Sequence, residues 1–377
     1  MERDDERRAA HDAAWRAPEQ VVAHWADAGS VDASLVEDRA RGRFWELVDE
    51  LEVSLLVSRE YEHLLVCLST RKHEPVRTFM PLPHPSGIAF DGARGVVHVA
   101  STRNPNQVFE LASLGDGRPL VPVASRFYPG ALYLHDLALV GGTLHGNAVG
   151  LNAVVRFDDG GRVTPVWWPA SVDRGGWPDV RRNYLQLNSI AAGRDLRSSF
   201  FSASAERPSG RRPGHRNFPV DGRGVVFSGR TGGVHIRGLT RPHSARLVDG
   251  VVWVLNSGYG ELGYGSEGRF EPVAALPGWT RGLAFHGPYA FVATSRVIPR
   301  YARYAPGLDV DRSVCGLHAF DLRTSELIGS LLWPKGNQVF AVEVLPRTFA
   351  GGLPFTRRSR PAYIRRLLYT YDLGGIG

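Results

Sequence analysis

A strand pattern that recurs six times is the feature that most limits what this chain can fold into. Each copy begins with a polar residue that is followed by alternating apolar residues. The copies are SGIAF from Ser86, HDLAL from His135, NSIAA from Asn188, HSARL from His243, RGLAF from Arg281 and QVFAV from Gln338. Five of them continue through a turn into a second apolar segment, and several have third and fourth segments behind. Repeats of roughly 40–50 residues with four short strands each are typical of propeller blades.

The two ends of this array complement each other. The segment QVFAVEVLP has no strands behind it, whereas three strand-like segments between residues 54 and 81 have no innermost strand before them. We therefore predict an all-β, six-bladed β-propeller in which N-terminal strands join the C-terminal inner strand, a closure that removes free sheet edges. The predicted propeller spans 52–346, between a helical N-terminal extension at 1–51 and an Arg-rich C-terminal tail at 347–377.

Composition narrows the function classes. Only two cysteines occur, Cys67 and Cys315, so neither a disulfide framework nor a Cys-rich metal site is expected. The sequence has no apolar run of about 18 residues that would suit a membrane span, and its charged N-terminus lacks a signal-peptide core. We expect a cytoplasmic protein without a membrane partner. The net charge of +7 comes from Arg rather than Lys and accompanies no nucleic-acid-binding motif, which argues against a nucleic-acid partner.

The polar residue at the start of each inner strand predicts a site on the propeller axis. Inner strands line the central channel and side chains alternate along a strand, so these six polar side chains should converge at one end. The second strand of each blade ends at the same face with a small polar residue. This second ring is Ser58, Ser101, Asn147, Ser204, Asn256 and Thr294. Solvation of a water-filled channel accounts for much of the second ring, whereas the unlike residues of the first ring favour ligand recognition.

Within the first ring, two imidazoles and an amide lie on neighbouring blades. His135, Asn188 and His243 could together hold a divalent transition metal (Zn, Fe, Mn, Cu or Ni), since imidazole suits these ions and no carboxylate is offered for calcium. We expect His135 and His243 to act in catalysis with Arg281, which lies opposite and could neutralise a substrate carboxylate or a developing oxyanion.

Six further residues are candidates for substrate binding: Ser86, Gln338, Asn147, Asn256, His84 and His145. His84 could reach over the pocket mouth or cap a turn, and His145 could join the site or pack between blades. Two long insertions, 169–186 and 295–313, combine Arg with Tyr or Trp. Long loops on a rigid scaffold commonly carry specificity, so these insertions could form a lid that suits an anionic or aromatic substrate.

Several segments carry a family resemblance: LPHPSGIAF, LHDLALVGGTLHGNAVGLNAVVRF, TRPHSARLVDGVVWVLNSGYGELG and KGNQVFAVEVLP. Together they resemble an uncharacterised bacterial family of conserved hypothetical propellers, over roughly residues 54–346. More distantly, the starts of the inner strands are similar to gluconolactonase (regucalcin-like) and strictosidine-synthase-like six-bladed propellers. That second resemblance implies axial residues that hold a divalent cation and act on lactones or esters. Asn188 matches one such ligand position, but His135 and His243 stand where carboxylates or Asn would be expected.

These observations predict a metal-dependent enzyme that hydrolyses, eliminates or isomerises a small organic molecule, in secondary metabolism. A site with two imidazoles could also support metal-dependent oxygen chemistry. The alternative is a non-catalytic propeller scaffold that binds a protein partner through its face and the N-terminal segment.

Overall fold

Short antiparallel strands form the framework of the computed structural model, which describes Glu6 and residues 31–103, 106–158 and 160–357. The first thirteen are β1 (Arg39–Gly42), β2 (Val53–Arg59), β3 (Leu64–Arg71), β4 (Glu74–Pro81), β5 (Pro85–Asp91), β6 (Val96–Ser101), β7 (Asn106–Ala112), β8 (Val121–Tyr128), β9 (Leu134–Val140), β10 (Thr143–Ala148), β11 (Ala153–Phe157), β12 (Val163–Trp167) and β13 (Leu187–Ala191). The others are β14 (Phe200–Ala203), β15 (Gly224–Ser228), β16 (Val234–Leu239), β17 (Pro242–Val248), β18 (Val251–Asn256), β19 (Glu261–Ser266), β20 (Arg269–Ala275), β21 (Trp279–His286), β22 (Tyr289–Ser295), β23 (Gly316–Asp321), β24 (Glu326–Leu332) and β25 (Ala341–Pro346).

The strands assemble into six sheets, and each sheet is one blade of a propeller. Four blades are formed by consecutive strands: β5 to β8, β9 to β12, β13 to β16 and β17 to β20. A fifth blade contains β21 to β24 with β1 added at its outer edge. The sixth has the order β25-β2-β3-β4, so the last strand in the described part of the chain is its innermost strand. The predicted six-bladed architecture and the predicted mode of closure are both confirmed.

The closing blade joins distant parts of the chain in unbroken register. Strands β2 and β25 are antiparallel, with pairs that run from Val53 opposite Pro346 to Ser58 opposite Ala341. The side chains of β2 are buried along its whole length. Such a strand would expose apolar surface and unpaired backbone groups if β25 were absent, because both faces and both edges of β2 are covered in the ring.

The hydrophobic core consists of seams between neighbouring blades. One seam joins β9–β12 to β13–β16 and contains Trp167 and Phe201, whose rings stack with centroids 3.9 Å apart. The largest seam surrounds the closing blade and also takes in the short helix α1 (Phe44–Glu50). Blade packing of this kind requires apolar side chains on both faces of the inner strands, which explains their nearly continuous burial.

The N-terminal extension differs from the sequence-based expectation where it is described. In the part of the predicted helical extension (1–51) that is described, α1 covers only Phe44–Glu50, and residues Arg39–Gly42 form β1. The pairing of β1 with β24 covers the outer edge of the fifth blade. Most of residues 1–30 lie outside the described part of the chain, and the domain boundaries at 51 and 346 stay predictions. None of the helices that the structure describes is both long and apolar enough to cross a membrane.

Short 3-10 helices occupy several of the connections between strands. They are Ala33–Leu35, Val149–Leu151, Ala170–Val172, Leu196–Ser198, Ser257–Tyr259 and Pro299–Tyr304. The last of them lies within the long insertion between β22 and β23, on the same side of the ring as the starts of the inner strands, where its residues reach the axis.

An irregularity recurs near the start of five inner strands. The register with the second strand shifts between Pro85 and Ile88 in β5, between Leu187 and Ser189 in β13, and in β9, β17 and β21 at the corresponding places. Each shift lies at or directly after the polar residue predicted to face the axis. A β-bulge redirects a side chain that regular pleating would place differently, so these bulges help to set where the ring residues point.

Candidate functional site

A cavity of about 210 Å³ lies on the axis, at the end where the inner strands begin. It brings together four residues of the predicted first ring from four blades: His135, His243, Arg281 and Gln338. All four lie on the inner strands or immediately before them. The cavity is therefore a shared product of the ring, and no single blade could form it.

His135 is held in one tautomer by its neighbour Asn188. The Asn188 amide nitrogen donates to Ser204 Oγ (3.1 Å) and to the Pro242 carbonyl (2.8 Å), which leaves Oδ1 as an acceptor. His135 Nδ1 lies 3.1 Å from that oxygen and donates to it. The proton of the neutral ring is thus on Nδ1, and Nε2 carries the free lone pair.

His243 is fixed in the same tautomer by a different partner. The Ser257 hydroxyl donates to the Thr280 carbonyl at 2.6 Å, so its oxygen accepts from His243 Nδ1 at 2.9 Å. Two imidazoles with unprotonated Nε2 atoms therefore line the cavity. A hydrogen bond at one ring nitrogen that orients the imidazole and leaves the other nitrogen free is common at catalytic and metal-binding histidines.

Both imidazoles are neutral at ordinary pH. Burial holds the pKa of His135 and of His243 well below the usual value, and the nearby Arg281 cation lowers both pKa values further. The arrangement therefore presents two weak bases beside a fixed positive charge. An anion bound to Arg281 would offset that charge and strengthen both bases.

Arg281 is a buried guanidinium in the cavity wall whose hydrogen bonding is incomplete. It is 8% exposed, and its guanidinium carbon lies 3.2 Å from the centre of the Phe340 ring. With the Gln338 amide oriented so that its nitrogen faces Glu60, Nη1 donates to Gln338 Oε1 at 3.2 Å, but Nη2 has no hydrogen-bond partner among the described residues. Burial lowers its pKa to about 10, so the group remains charged at neutral pH. A buried, incompletely paired cation is costly unless a ligand completes its coordination.

A second buried guanidinium, Arg241, lies two residues before His243. It donates to Gln186 Oε1 and to the Pro213 carbonyl (2.6 Å), and it stacks on the Tyr304 ring with its central carbon 4.0 Å from the ring centre. None of these partners is a carboxylate. Burial lowers the pKa of Arg241 to about 10, so this residue also adds positive charge to the cavity.

Glu60 is the only acidic residue among those that line the cavity in the described part of the chain. It accepts hydrogen bonds from Arg103 Nε at 3.2 Å and from the Gln338 amide nitrogen at 2.7 Å. His84 Nδ1 lies 3.3 Å from the same carboxylate. Glu60 thus neutralises Arg103 and orients Gln338, but it forms no direct ion pair with Arg281 or Arg241.

The insertion at 295–313 forms one wall and part of the mouth. Arg296, Val297, Ile298, Tyr301 and Tyr304 line the cavity. The Tyr301 and Tyr61 hydroxyls lie 2.6 Å apart and so connect this insertion to the closing blade. By contrast, the insertion at 169–186 contributes only Gln186, and its Trp177 is 52% exposed beside Trp168.

Several predicted site residues have structural partners and do not line the cavity. Ser86 Oγ donates to the Ala100 and Leu134 carbonyls, and Asn188 orients His135 as described above. Asn256 accepts from the Thr240 amide at 2.7 Å and donates to Glu261. These residues tie blades and turns together.

Three more predicted binding residues also lie outside the cavity wall. His84 is partly exposed at its edge, beside His63 and Glu60. His145 Nδ1 lies 2.8 Å from the Thr143 carbonyl, away from the axis. Asn147 is fully buried, and neither of its side-chain polar atoms has a partner in the described part of the chain.

The residues present fit the expected transition metal poorly. His135 and His243 supply two donors, but the Asn188 oxygen is already occupied by His135 and its amide is fixed by two further bonds. No group of three His, Cys, Asp or Glu side chains in the described residues is placed to hold a metal ion. Two unneutralised guanidinium groups also oppose a cation at this position. Metal dependence stays an expectation from the sequence alone, and the arrangement of these residues does not favour it.

Four cavity residues that sequence reasoning missed or did not assign to the site share one position. They lie two residues before a first-ring residue: Tyr133, Gln186, Arg241 and Trp279. Three of them, and His84 at the same place, have positive φ angles between 44° and 55°. Left-handed backbone is unusual for such side chains and concentrates at functional sites. A second signal was also available, because Glu60, Arg103 and Arg296 each follow a second-ring residue by two positions.

Comparison with solved structures supports the fold. A nidogen–laminin complex matches at 12% identity with a TM-score of 0.53, covering 78% of this chain and 99% of that one. A putative 6-phosphogluconolactonase from Bacteroides uniformis matches at 13% identity with a TM-score of 0.45 (78% and 99%). A gluconolactonase from Xanthomonas campestris matches at 13% identity with a TM-score of 0.43 (67% and 77%). The nidogen–laminin match supports the propeller fold alone, and the two lactonases carry no argument.

The search of curated proteins found no match. A family model does match, over residues 42–351, and its description is a domain of unknown function, DUF4915. The match covers most of the chain and includes all six blades, which confirms the resemblance to an uncharacterised propeller family. The chain is therefore a member of the DUF4915 family.

Proposed function

We propose that the axial cavity is the active site of an enzyme that removes a proton from a small organic molecule. The observation that carries the proposal is the pair of imidazoles, His135 and His243, each with its proton fixed on Nδ1 and its Nε2 lone pair free. A neutral imidazole in that state is a general base. Two such bases beside a buried cation suit isomerisation or elimination at a carbon next to a carbonyl or carboxylate group.

Arg281 would supply the electrostatic part of this chemistry. Removal of a proton from carbon develops negative charge on the adjacent oxygen, and a fixed buried guanidinium stabilises such charge without reorganisation. Binding of a negatively charged group to Arg281 would also raise the basicity of the imidazoles. It would offset the positive charge of Arg281, which lowers the pKa values of both histidines. Substrate binding and base strength would thus be coupled through one residue.

The experiment is a deuterium-exchange screen. The protein would be incubated in D₂O with a panel of arylalkanoic acids, aryl ketones, esters and lactones, followed by mass spectrometry. Deuterium uptake, double-bond migration, elimination and hydrolysis each change the mass or retention of the compound. We expect turnover of at least one compound, reduced about 100-fold or more in His135→Gln and His243→Gln. The exposed His286→Gln is the matched control, with turnover unchanged.

Two results would contradict the proposal. Turnover that persists unchanged in both histidine variants would show that the imidazoles are not the bases. A folded wild-type protein that processes no member of the panel would favour the alternative, a non-catalytic scaffold. That alternative requires a partner whose binding survives both histidine substitutions.

A further inference from the structure

The charge of the axial cavity indicates the chemical class of its occupant. Four arginines line the cavity, and Glu60 is its one carboxylate within the described residues. Glu60 is engaged by Arg103 at 3.2 Å. Arg281 and Arg241 have no carboxylate partner there, although both are more than nine-tenths buried. The cavity therefore has an excess of positive charge that the fold itself does not neutralise.

The guanidinium of Arg281 is held in a fixed plane. Phe340 stacks beneath it, and Gln338 accepts from Nη1 while its own amide is held by Glu60. Nη2 is buried and has no hydrogen-bond partner among the described residues. Planar guanidinium groups recognise carboxylates with directional hydrogen bonds, which a spherical ion does not reproduce.

The remaining wall is largely aromatic. Tyr133, Trp279, Tyr301, Tyr304 and Phe340 line the cavity. Trp279 packs against His243 with ring centroids 5.9 Å apart, and Tyr133 packs against His135 at 4.8 Å. Flat π surfaces beside both bases favour a planar, unsaturated body. Cavities of roughly 150 Å³ accept a benzene ring, so about 210 Å³ has room for a ring and a carboxylate.

We propose that the occupant is a small aryl or conjugated carboxylic acid whose carboxylate contacts Arg281 and whose planar body lies against Trp279 and Tyr133. This inference rests on the proposed function and specifies the substrate class of the same site. Because Arg281, His135 and His243 line the same cavity, a carboxylate on Arg281 would bring its neighbouring carbons towards both imidazoles. It also brings a negative charge to Arg281, a buried guanidinium that has no carboxylate partner among the described residues.

The test is calorimetric titration with benzoate as the probe, because it has the charge and the ring but no reactive proton. Benzamide is the neutral isostere, and cyclohexanecarboxylate keeps the charge but lacks the flat ring. We expect benzoate to bind at least ten-fold more tightly than either. Arg281→Gln should weaken benzoate at least ten-fold, and Arg281→Lys should restore only part of the loss. The exposed Arg269→Gln is the matched control and should bind like wild type.

The inference is overturned if benzoate does not bind, if benzamide binds equally well, or if Arg281→Gln binds benzoate like wild type. The ligand comparison on wild-type protein decides the question even where Arg281→Gln fails to fold. Benzoate binding without turnover in the deuterium screen would defeat the proposed chemistry and leave carboxylate recognition standing. Turnover of neutral aryl ketones without benzoate binding would support the proposed chemistry and defeat carboxylate recognition.

Discussion

At the scale of single residues, the axial site depends on how hydrogen bonds direct two imidazole rings. Asn188 and Ser257 each accept from a histidine Nδ1, and each is itself committed to a backbone carbonyl of the next blade. The basic nitrogens are therefore set by contacts between blades. This explains why the polar ring residues are unlike each other, since some line the cavity and others orient those that do.

The first prediction concerns the pH dependence of catalysis. Because the pKa values of His135 and His243 lie well below the usual value, both bases stay neutral between pH 6 and pH 8. We expect kcat/KM to be flat across that range and to fall only at lower pH, where the imidazoles become protonated. Arg281→Gln should move this acid limb to higher pH, because the cation that disfavours protonation is gone. A limb centred near pH 6.5 in wild type, the value of a free imidazole, would contradict the assignment.

The second prediction concerns stability. His318 is 3% exposed, with its ring nitrogens 2.9 Å from the hydroxyls of Thr294 and Ser330, and burial lowers its pKa to about 4. The unfolded chain binds a proton near pH 6.5 whereas the folded chain does not, so stability falls as the pH drops from 6.5 towards 4. This group alone should cost about 2 kcal/mol between pH 7 and pH 5.

Urea denaturation at both pH values would measure that loss in wild type and in His318→Gln. The variant should lose about 2 kcal/mol less than wild type over the same interval. An identical loss in the two proteins would mean that His318 is not responsible. His286→Gln, which changes an exposed histidine, serves as the control.

At the scale of elements, the residues that follow three of the ring positions tie their inner strand to the next one. Asp136 accepts from the Ile190 amide at 3.0 Å, Ser189 from the Ala245 amide at 2.7 Å, and Ser244 from the Gly282 amide at 2.9 Å. The bulge turns one residue to the axis and its neighbour to the adjacent blade. Binding geometry and ring cohesion are thus set at the same point of the strand.

The third prediction tests this tie at Asp136, which also pairs with Arg246 at 3.0 Å. Asp136→Ala removes the partner of a buried backbone amide and of a largely buried guanidinium, so it should destabilise the fold by about 3 kcal/mol. Asp136→Asn keeps an acceptor oxygen and should cost clearly less. Urea unfolding with an unchanged m-value is the measurement. Equal stabilities for Asp136→Ala and wild type would show that the tie is dispensable.

The elements were predictable from local pattern, but much of the site was not. Alternating apolar residues identified the inner strands, and the missing innermost strand before residue 54 identified the closure, because an open propeller leaves edges unpaired. Arg241 escaped notice because nothing local shows that a residue before the strand adopts φ 55° and turns inwards. Asn188 was expected to be a metal ligand. Its amide direction could not be predicted, because it depends on contacts with Ser204 and Pro242, which belong to distant segments.

At the scale of the whole molecule, the cavity combines side chains from all six blades. Its net charge is therefore the sum of contributions from distant parts of the chain. A cation would meet two bases and several guanidinium groups there. The fourth prediction follows for protein purified without chelator or affinity tag. We expect elemental analysis to find Zn, Fe, Mn, Cu and Ni well below one per chain, with no difference between wild type and His135→Ala/His243→Ala. One metal per chain, lost in the double variant, would restore the metal site and displace the general-base proposal.

The pairing of β2 with β25 has a consequence for synthesis of the protein. Strand β2 leaves the ribosome well before its inner partner Ala341–Pro346, which lies more than 250 residues later in the sequence. At about 5–20 residues per second, the edge of β2 waits on the order of 15–60 s for that partner. The nascent chain must therefore remain soluble with one blade unfinished throughout that time. Newly made molecules are the population most exposed to edge-to-edge association, and chaperone demand should peak just before Ala341–Pro346 emerges.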